Sequence, residues 1–264
     1  MSLAYEQFRQ VTPLAGVVLA DNPSAMTLDG TNTWLLRDEP SRRQAVVVDP
    51  GPADDRHLDT VVRAAGSVPL ILLTHGHADH SEGARRLHEL TGAPVLALDP
   101  AHRYGAEGVA EGAVLNGAGV QIKVWATPGH TSDSLSFVVP GDGPAVAVLT
   151  GDTILGRGST VVAHPDGVLA DYLASLRRLA TLEGVTVLPG HGPELADAGA
   201  AARGYLAHRE QRLAQVRQAL ADGGPELSAM DVVRRVYADV DPALWPAAEW
   251  SVQAQLAYLR AEGS

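Results

Sequence analysis

Cysteine is absent from the 264 residues. That excludes disulfides, thiol nucleophiles and thiolate metal ligands together. Lysine is almost absent too: of 20 basic residues, all but Lys123 are arginines. Against 31 acidic residues they leave a formal charge of −11, which argues against an extended nucleic-acid-binding surface. Long hydrophobic runs are missing. The longest clean ones, such as 46–48 and 70–73, fall far short of the ~20 residues a bilayer span needs. The first residues show no basic n-region, since Glu6 precedes Arg9, and Pro13 breaks their apolar stretch. No secretory leader is therefore expected, and a cytoplasmic location is the default. Long charge blocks, low-complexity segments and internal repeats are lacking as well. With 45% hydrophobic residues the chain has material for one large core, and intrinsic disorder is excluded.

What is present is an alternation of short aliphatic runs and helical patterns. Strands are expected at 45–49, 70–75, 94–98, 120–126, 134–139, 145–150 and 185–188, each ending in Gly, Pro, Asp or His. Helices are expected at 54–65, 80–91 and 167–182. Such alternation implies an α/β core with helices outside sheets. The first forty residues should add a strand or two, with Trp34–Leu36 in one of them. Beyond residue 200 no strand pattern remains. Leu206, Leu213, Val216 and Leu220 share one helical face, and Gly223-Gly224-Pro225 should end that helix. Ser228 and Asp231 have the spacing of a capping box, and Val252, Leu256 and Leu259 form a third apolar stripe. Two units are expected, 1–199 and a small helical 200–264.

The chemistry concentrates in His75-Gly76-His77-Ala78-Asp79-His80, directly after the expected strand 70–75. Four ligand-type side chains at one strand-to-helix turn can point into one pocket. His130, Asp152 and His191 each follow another apolar run, so seven groups converge on one sheet edge if the strands are aligned. Five imidazoles and two carboxylates suit zinc, with iron or manganese also compatible with these ligand types. His57 and His102 lie outside the cluster and read as ordinary loop or hydrogen-bonded histidines.

These motifs resemble those of the metallo-β-lactamase fold superfamily, an αββα sandwich with a dinuclear site along one edge. The resemblance runs from about residue 15 to 195. It implies that His75, His77 and His130 hold one metal ion, that Asp79, His80 and His191 hold a second, and that Asp152 bridges both. It also makes Asp49 the residue that steadies the histidine loop, with helix capping as the alternative. The stretch from Asn22 to Thr33, the run Thr150-Gly151-Asp152-Thr153-Ile154-Leu155-Gly156 and the set Tyr205…His208-Arg209 are similar to lactamase-beta-2-like hydrolases. Those carry a C-terminal winged-helix-like subdomain. Here the chain reaches Ser264 just after the third helical stripe, so a truncated, wingless version is expected. Its charge from Tyr205 onward, six arginines against eight acidic residues, favours packing against the core or a second copy over nucleic acid.

The function implied is hydrolysis by a hydroxide bridging two divalent ions, most simply Zn2+, with Asp79 as the catalytic residue that orients it. No cysteine is available for the lactamase subclasses that need one, and the cysteine-free subclass lacks the bridging Asp. Only 39 positions separate Asp152 from His191, too few for an inserted nuclease cassette. Substrates compatible with the resemblance are a small ester or thioester, as in glyoxalase-II-like enzymes, or single-stranded RNA. Persulfide oxidation at a single iron and a non-catalytic metal-stabilised scaffold are the alternatives. His164 is a further candidate proton donor, or a plain surface residue. Asn32 and Thr33 are candidates to line the cleft or form a turn, and Thr131 to support its loop. For His208 and Arg209 a domain-locking salt bridge is expected.

Overall fold

A computed structural model describes residues 4–141, 143, 145–224 and 226–262. Pro225 of the expected helix stop and the terminal Ser264 lie outside the described residues. Strands β1 (Phe8–Gln10), β2 (Ala15–Leu19), β3 (Asn32–Leu36), β4 (Val46–Val48), β5 (Ile71–Leu72) and β6 (Val95–Leu96) form one sheet in that order. The second contains β7 (Val114–Gly117), β8 (Val120–Ala126), β9 (Leu135–Pro140), β10 (Ala145–Gly151) and β11 (Thr186–Pro189), with β11 and β7 at its edges. The N-terminal segment thus supplies three strands, and β7 is an addition to the expected set.

The two-residue period of a strand explains the layers. Val46, Val48, Leu70 and Leu72 pack inward with Ile122, Phe137, Val139 and Leu149 in a core between the sheets. Their neighbours Val47, Ile71 and Leu73 point outward and meet Leu58, Val61, Ala84 and Leu87 of helices α1 (Asp55–Ala65) and α2 (Ala78–Thr91). On the other outer face Val138, Val148 and Val187 meet Tyr172, Leu173 and Leu176 of α3 (Leu169–Leu179). β4 and β5 are buried on both faces, which is why they read as continuous apolar runs, whereas β8 alternates, with Gln121 and Lys123 exposed. The architecture is the expected α/β sandwich of two sheets between helical layers.

Three helices follow: α4 (Ala198–Gly223), α5 (Ala229–Val236) and α6 (Trp245–Glu262). Ser228 and Asp231 form the expected capping box at the start of α5. The first turns of α4 bury Ala198 and Ala202 against α3, whereas Val216 packs with Val232, Val233 and Val252 in a separate cluster. Among the described residues after Ala198 there is no strand. No helix among them is long and apolar enough to cross a membrane.

Parallel pairing positions the chemistry. β4, β5 and β6 run parallel, as do β10 and β11, so their C-terminal ends lie at common edges. Asp49, the 75–80 loop, Asp152 and His191 all follow such ends, and His130 sits in the connection from β8 to β9. Ligands to open α/β sheets gather outside these ends. Across the sheets, Trp34 Nε1 donates to Pro189 O (2.9 Å), and Asn32 N to Gly190 O (2.8 Å), tying β3 to the His191 loop.

Candidate metal centre

The structure brings all seven residues together in two groups. In the first, His77 Nδ1 lies 3.1 Å from His75 Nε2 and 3.0 Å from His130 Nε2. In the second, His80 Nε2 is 3.2 Å from His191 Nε2, and Asp79 Oδ2 is 3.3 and 3.2 Å from the two. Asp152 stands between the groups. Its Oδ2 is 3.6 Å from His130 Nε2, and its Oδ1 is 3.5 and 3.4 Å from His80 and His191 Nε2.

Hydrogen bonds on the far side of the rings fix what these nitrogens carry. His130 Nδ1 donates to Val161 O (2.6 Å), and His191 Nδ1 to Gly30 O (3.1 Å); carbonyls only accept, so both protons sit on Nδ1. His80 Nδ1 donates to Asp49 Oδ2 (2.9 Å). The Thr74 hydroxyl donates to the same oxygen (2.7 Å) and accepts from His75 Nδ1 (3.0 Å). In the neutral rings the four Nε2 atoms are therefore bare lone pairs: those of His80 and His191 face each other, and those of His75 and His130 face His77 Nδ1. Asp152 Oδ1 is likewise buried without a hydrogen-bond partner. The His80 and His191 acceptors facing each other at 3.2 Å form a stable arrangement only around positive charge. Each group's ligand atoms lie within 4.8 Å of one another, and the cluster is able to hold a metal.

The electrostatics agree. Burial opposes charge on His80, yet the Asp79, Asp152 and Asp49 carboxylates hold its pKa well above the ordinary imidazole value. His191, opposed by burial but faced by Asp152 and Asp79, is raised to about 9. His75 and His77 are lowered, chiefly by burial. Burial works against the Asp79 and Asp152 carboxylates, but the neighbouring histidines keep both below the usual carboxylate range. Left to itself, the second group would gather protons in place of metal.

Local sequence explains the placement. The 75–80 loop turns straight into α2, whose first turn carries Asp79, where the helix dipole favours an anion. Gly190 is required by proximity: a Cβ there would lie 2.7 Å from both Asp152 Oδ1 and His80 Cε1. Asp49 takes its loop-steadying role, accepting from Thr74 N (2.8 Å) as well as from the Thr74 hydroxyl and His80; Asp54 is the cap of α1. One carboxylate thus orients a histidine of each group. Asp49→Ala is expected to weaken zinc binding about 10–100-fold, as loss of such an outer partner does. It should also cost about 1–3 kcal/mol for the buried Thr74 N–H left unpaired. Zinc competition and chemical denaturation check both, and a variant with wild-type zinc affinity would remove Asp49 from this role.

Other candidates fall differently. Asn32 is buried, and its Nδ2 donates to Pro189 O and Gly192 O (3.0 and 2.8 Å). Thr33 donates to Asp49 O (2.7 Å) and contacts His57 Nε2 (2.9 Å), whose Nδ1 meets Glu6 Oε2 (2.8 Å), so His57 is a buried hydrogen-bonded residue. Thr131 does support its loop, through Asp133 and Ser134 (2.7 Å each). His102 packs over Gly76 outside both groups. His164 stands half-buried on a turn and is not among the residues lining the cavity described next. Thr31, not singled out by sequence, donates from Oγ1 to Asp79 Oδ2 (3.1 Å).

A cavity of about 300 Å³ opens beside the cluster. Its lining includes His130 and Asp152 of the cluster, and Arg209, Arg212, Tyr237 and Ser251 from the C-terminal helical segment. Among the described residues no salt bridge of His208 or Arg209 is found, against expectation. Arg209 instead donates to Thr160 O and stacks on the Tyr172 ring, 5.1 Å from its centroid. Nothing in the helical stripe of 206–220 distinguishes a residue facing a cavity from one facing a core.

Fold and site together define a two-sheet sandwich protein with a His/Asp metal cluster on its edge. Residues 26–191 match the Metallo-beta-lactamase superfamily, and residues 228–264 match the Beta-lactamase associated winged helix domain. The chain belongs to the metallo-beta-lactamase superfamily. It is 34% identical over 266 residues to Beta-lactamase-like protein 2 homolog of Drosophila melanogaster, covering 93% of this chain and 87% of that protein. It is 29% identical over 242 residues to Atrochrysone carboxyl ACP thioesterase of Passalora fulva, covering 86% and 69%. A metallo-beta-lactamase family protein from Thermus thermophilus shares the fold with a TM-score of 0.77 and 22% identity, covering 96% and 95%.

Proposed function

We propose that the protein is a dinuclear metal-dependent hydrolase of small esters or thioesters. The observation that carries this reading is Asp152, whose two oxygens face different ligand groups. In it His75, His77 and His130 hold one ion, Asp79, His80 and His191 the other, and Asp152 is shared. Zinc suits the set, and iron or manganese would meet the same ligands. Bound ions would supply an acidified water as nucleophile and a Lewis acid for the oxyanion.

The chain's own residues do the rest. All contacts of Asp79 among the described residues run through Oδ2. Oδ1 is left to accept a hydrogen bond from the attacking water and to hold its proton for the leaving alkoxide or thiolate. The far-side hydrogen bonds of His75, His80, His130 and His191 keep the rings from turning, so the site is organised before substrate arrives. Residues 1–199 carry this machinery and part of the cavity wall, and 200–264 supply the rest of that wall. The thioesterase among the relatives supports the substrate class.

Elemental analysis of zinc-loaded protein should give near two equivalents, and Asp152→Ala should lower that number. A folded protein that holds at most one ion under zinc excess would end the dinuclear assignment. The loaded protein is then offered thioesters, lactones and single-stranded RNA in parallel. Thioester or lactone turnover should be almost insensitive to salt. Activity on RNA alone, falling steeply as salt rises, would overturn the substrate class. Oxygen consumption with a persulfide and no hydrolysis would overturn the reaction.

A further inference from the structure

Arg209 is 2% exposed and lines the cavity, yet no carboxylate among the described residues pairs with it. Of its five N–H donors, one reaches Thr160 O, and its Nε–H is buried with no acceptor. The other two arginines on the wall differ: Arg157 pairs with Asp29, and Arg212 lies 3.8 Å from Asp239 and donates to Val236 O. His208, the neighbour of Arg209, likewise has a buried Nδ1 without a partner. In a chain of net charge −11, the wall holds three arginines, and its one carboxylate is Asp152, already turned to the histidines. A buried cation with no counter-ion costs several kcal/mol, and arginine is the side chain best shaped to recover that cost against a planar anion.

Much of the rest of the wall is apolar, formed in part by Met26, Leu28, Leu155, Val161, Val240 and Leu244, with Ser159, Thr160 and Ser251 among its polar members. At about 300 Å³ the cavity sits at the small end for sites that enclose a small molecule. We propose that it is the acyl pocket of the hydrolase, and that it selects substrates whose apolar body carries a carboxylate apart from the scissile bond. In the bound substrate that carboxylate is the counter-ion of Arg209, the residue that sets specificity. This assignment rests on the hydrolase reading for the word acyl, but not for the binding itself.

The test uses zinc-loaded full-length protein, isothermal titration calorimetry and two probes of one shape, 2-naphthoate and neutral 2-naphthamide. The acid is expected to bind at least about tenfold more tightly, the ratio a charge-assisted hydrogen bond supplies. In Arg209→Met the two should bind alike. Equal binding to the wild-type protein, or a preference that survives in Arg209→Met, overturns the proposal. Should that variant not fold, a crystal of the wild-type protein with 2-naphthoate decides. A carboxylate on the Arg209 guanidinium supports the assignment, and one seated on the metal ions or the outer surface overturns it. Turnover plays no part in these measurements. A protein that binds the acid but hydrolyses nothing loses the hydrolase reading alone, and an active hydrolase indifferent to the acid group loses only this one.

Discussion

Asp79→Ala is expected to lower kcat/KM toward a thioester by about 10²–10⁴-fold, the range associated with loss of a positioned proton acceptor. The side chain has two jobs in the proposed site, and the variant separates them. Its Oδ2 belongs to the second ligand group, beside His80 and His191, while Oδ1 is left for the attacking water. Zinc content should therefore fall toward one equivalent. Asp79→Asn, which keeps an acceptor oxygen but cannot take a proton, should retain more zinc yet remain impaired at saturating substrate. Steady-state kinetics paired with metal analysis of both variants makes the comparison. Near-wild-type turnover in Asp79→Ala would refute the assigned role.

Truncation after Ala202 is expected to give a protein that aggregates. The cut removes most of α4 and all of α6, which contribute Leu213 and Ala254 to the cluster around Tyr172, Leu173 and Leu176. Each large aliphatic side chain returned to water forfeits about 1.5–3 kcal/mol, a large share of a typical domain's net stability. Thr160 O loses Arg209 at the same time, which loosens the 157–162 segment that carries Val161, the acceptor for His130. Sedimentation and binding of a hydrophobic dye measure the exposed surface. A soluble, monomeric and fully active fragment would show the C-terminal helices to be dispensable.

The ligand loops are legible in the sequence because each follows a largely buried aliphatic run, and for all but the His130 loop parallel strands place such ends at a common edge. β7 is not legible: it is an exposed edge strand of four residues that includes Asn116 and Gly117, without alternation. The apolar stripe of α4 starts only at Leu206, yet the helix begins at Ala198, because a stretch of small residues carries little apolar periodicity. Asp49 lies 25 and 31 positions from its partners Thr74 and His80, so spacing could not reveal it; only family resemblance did. Arg209 has no sequence signal for its situation at all. Whether a helical arginine meets a glutamate, a carbonyl or a cavity depends on what the fold sets opposite it.

α4 passes without interruption through the proposed division at 199/200 and runs for 26 residues, about 39 Å at 1.5 Å per residue. Its first turns are embedded beside α3 and its last beside α5 and α6. A swing of one end relative to the other would have to break backbone hydrogen bonds in mid-helix, where neither glycine pairs nor proline offers a weak point. The two sides of the cavity are therefore held by one rigid strut. In the proposed hydrolase, bending of α4 would thus not be the way these helices admit substrate or let product go.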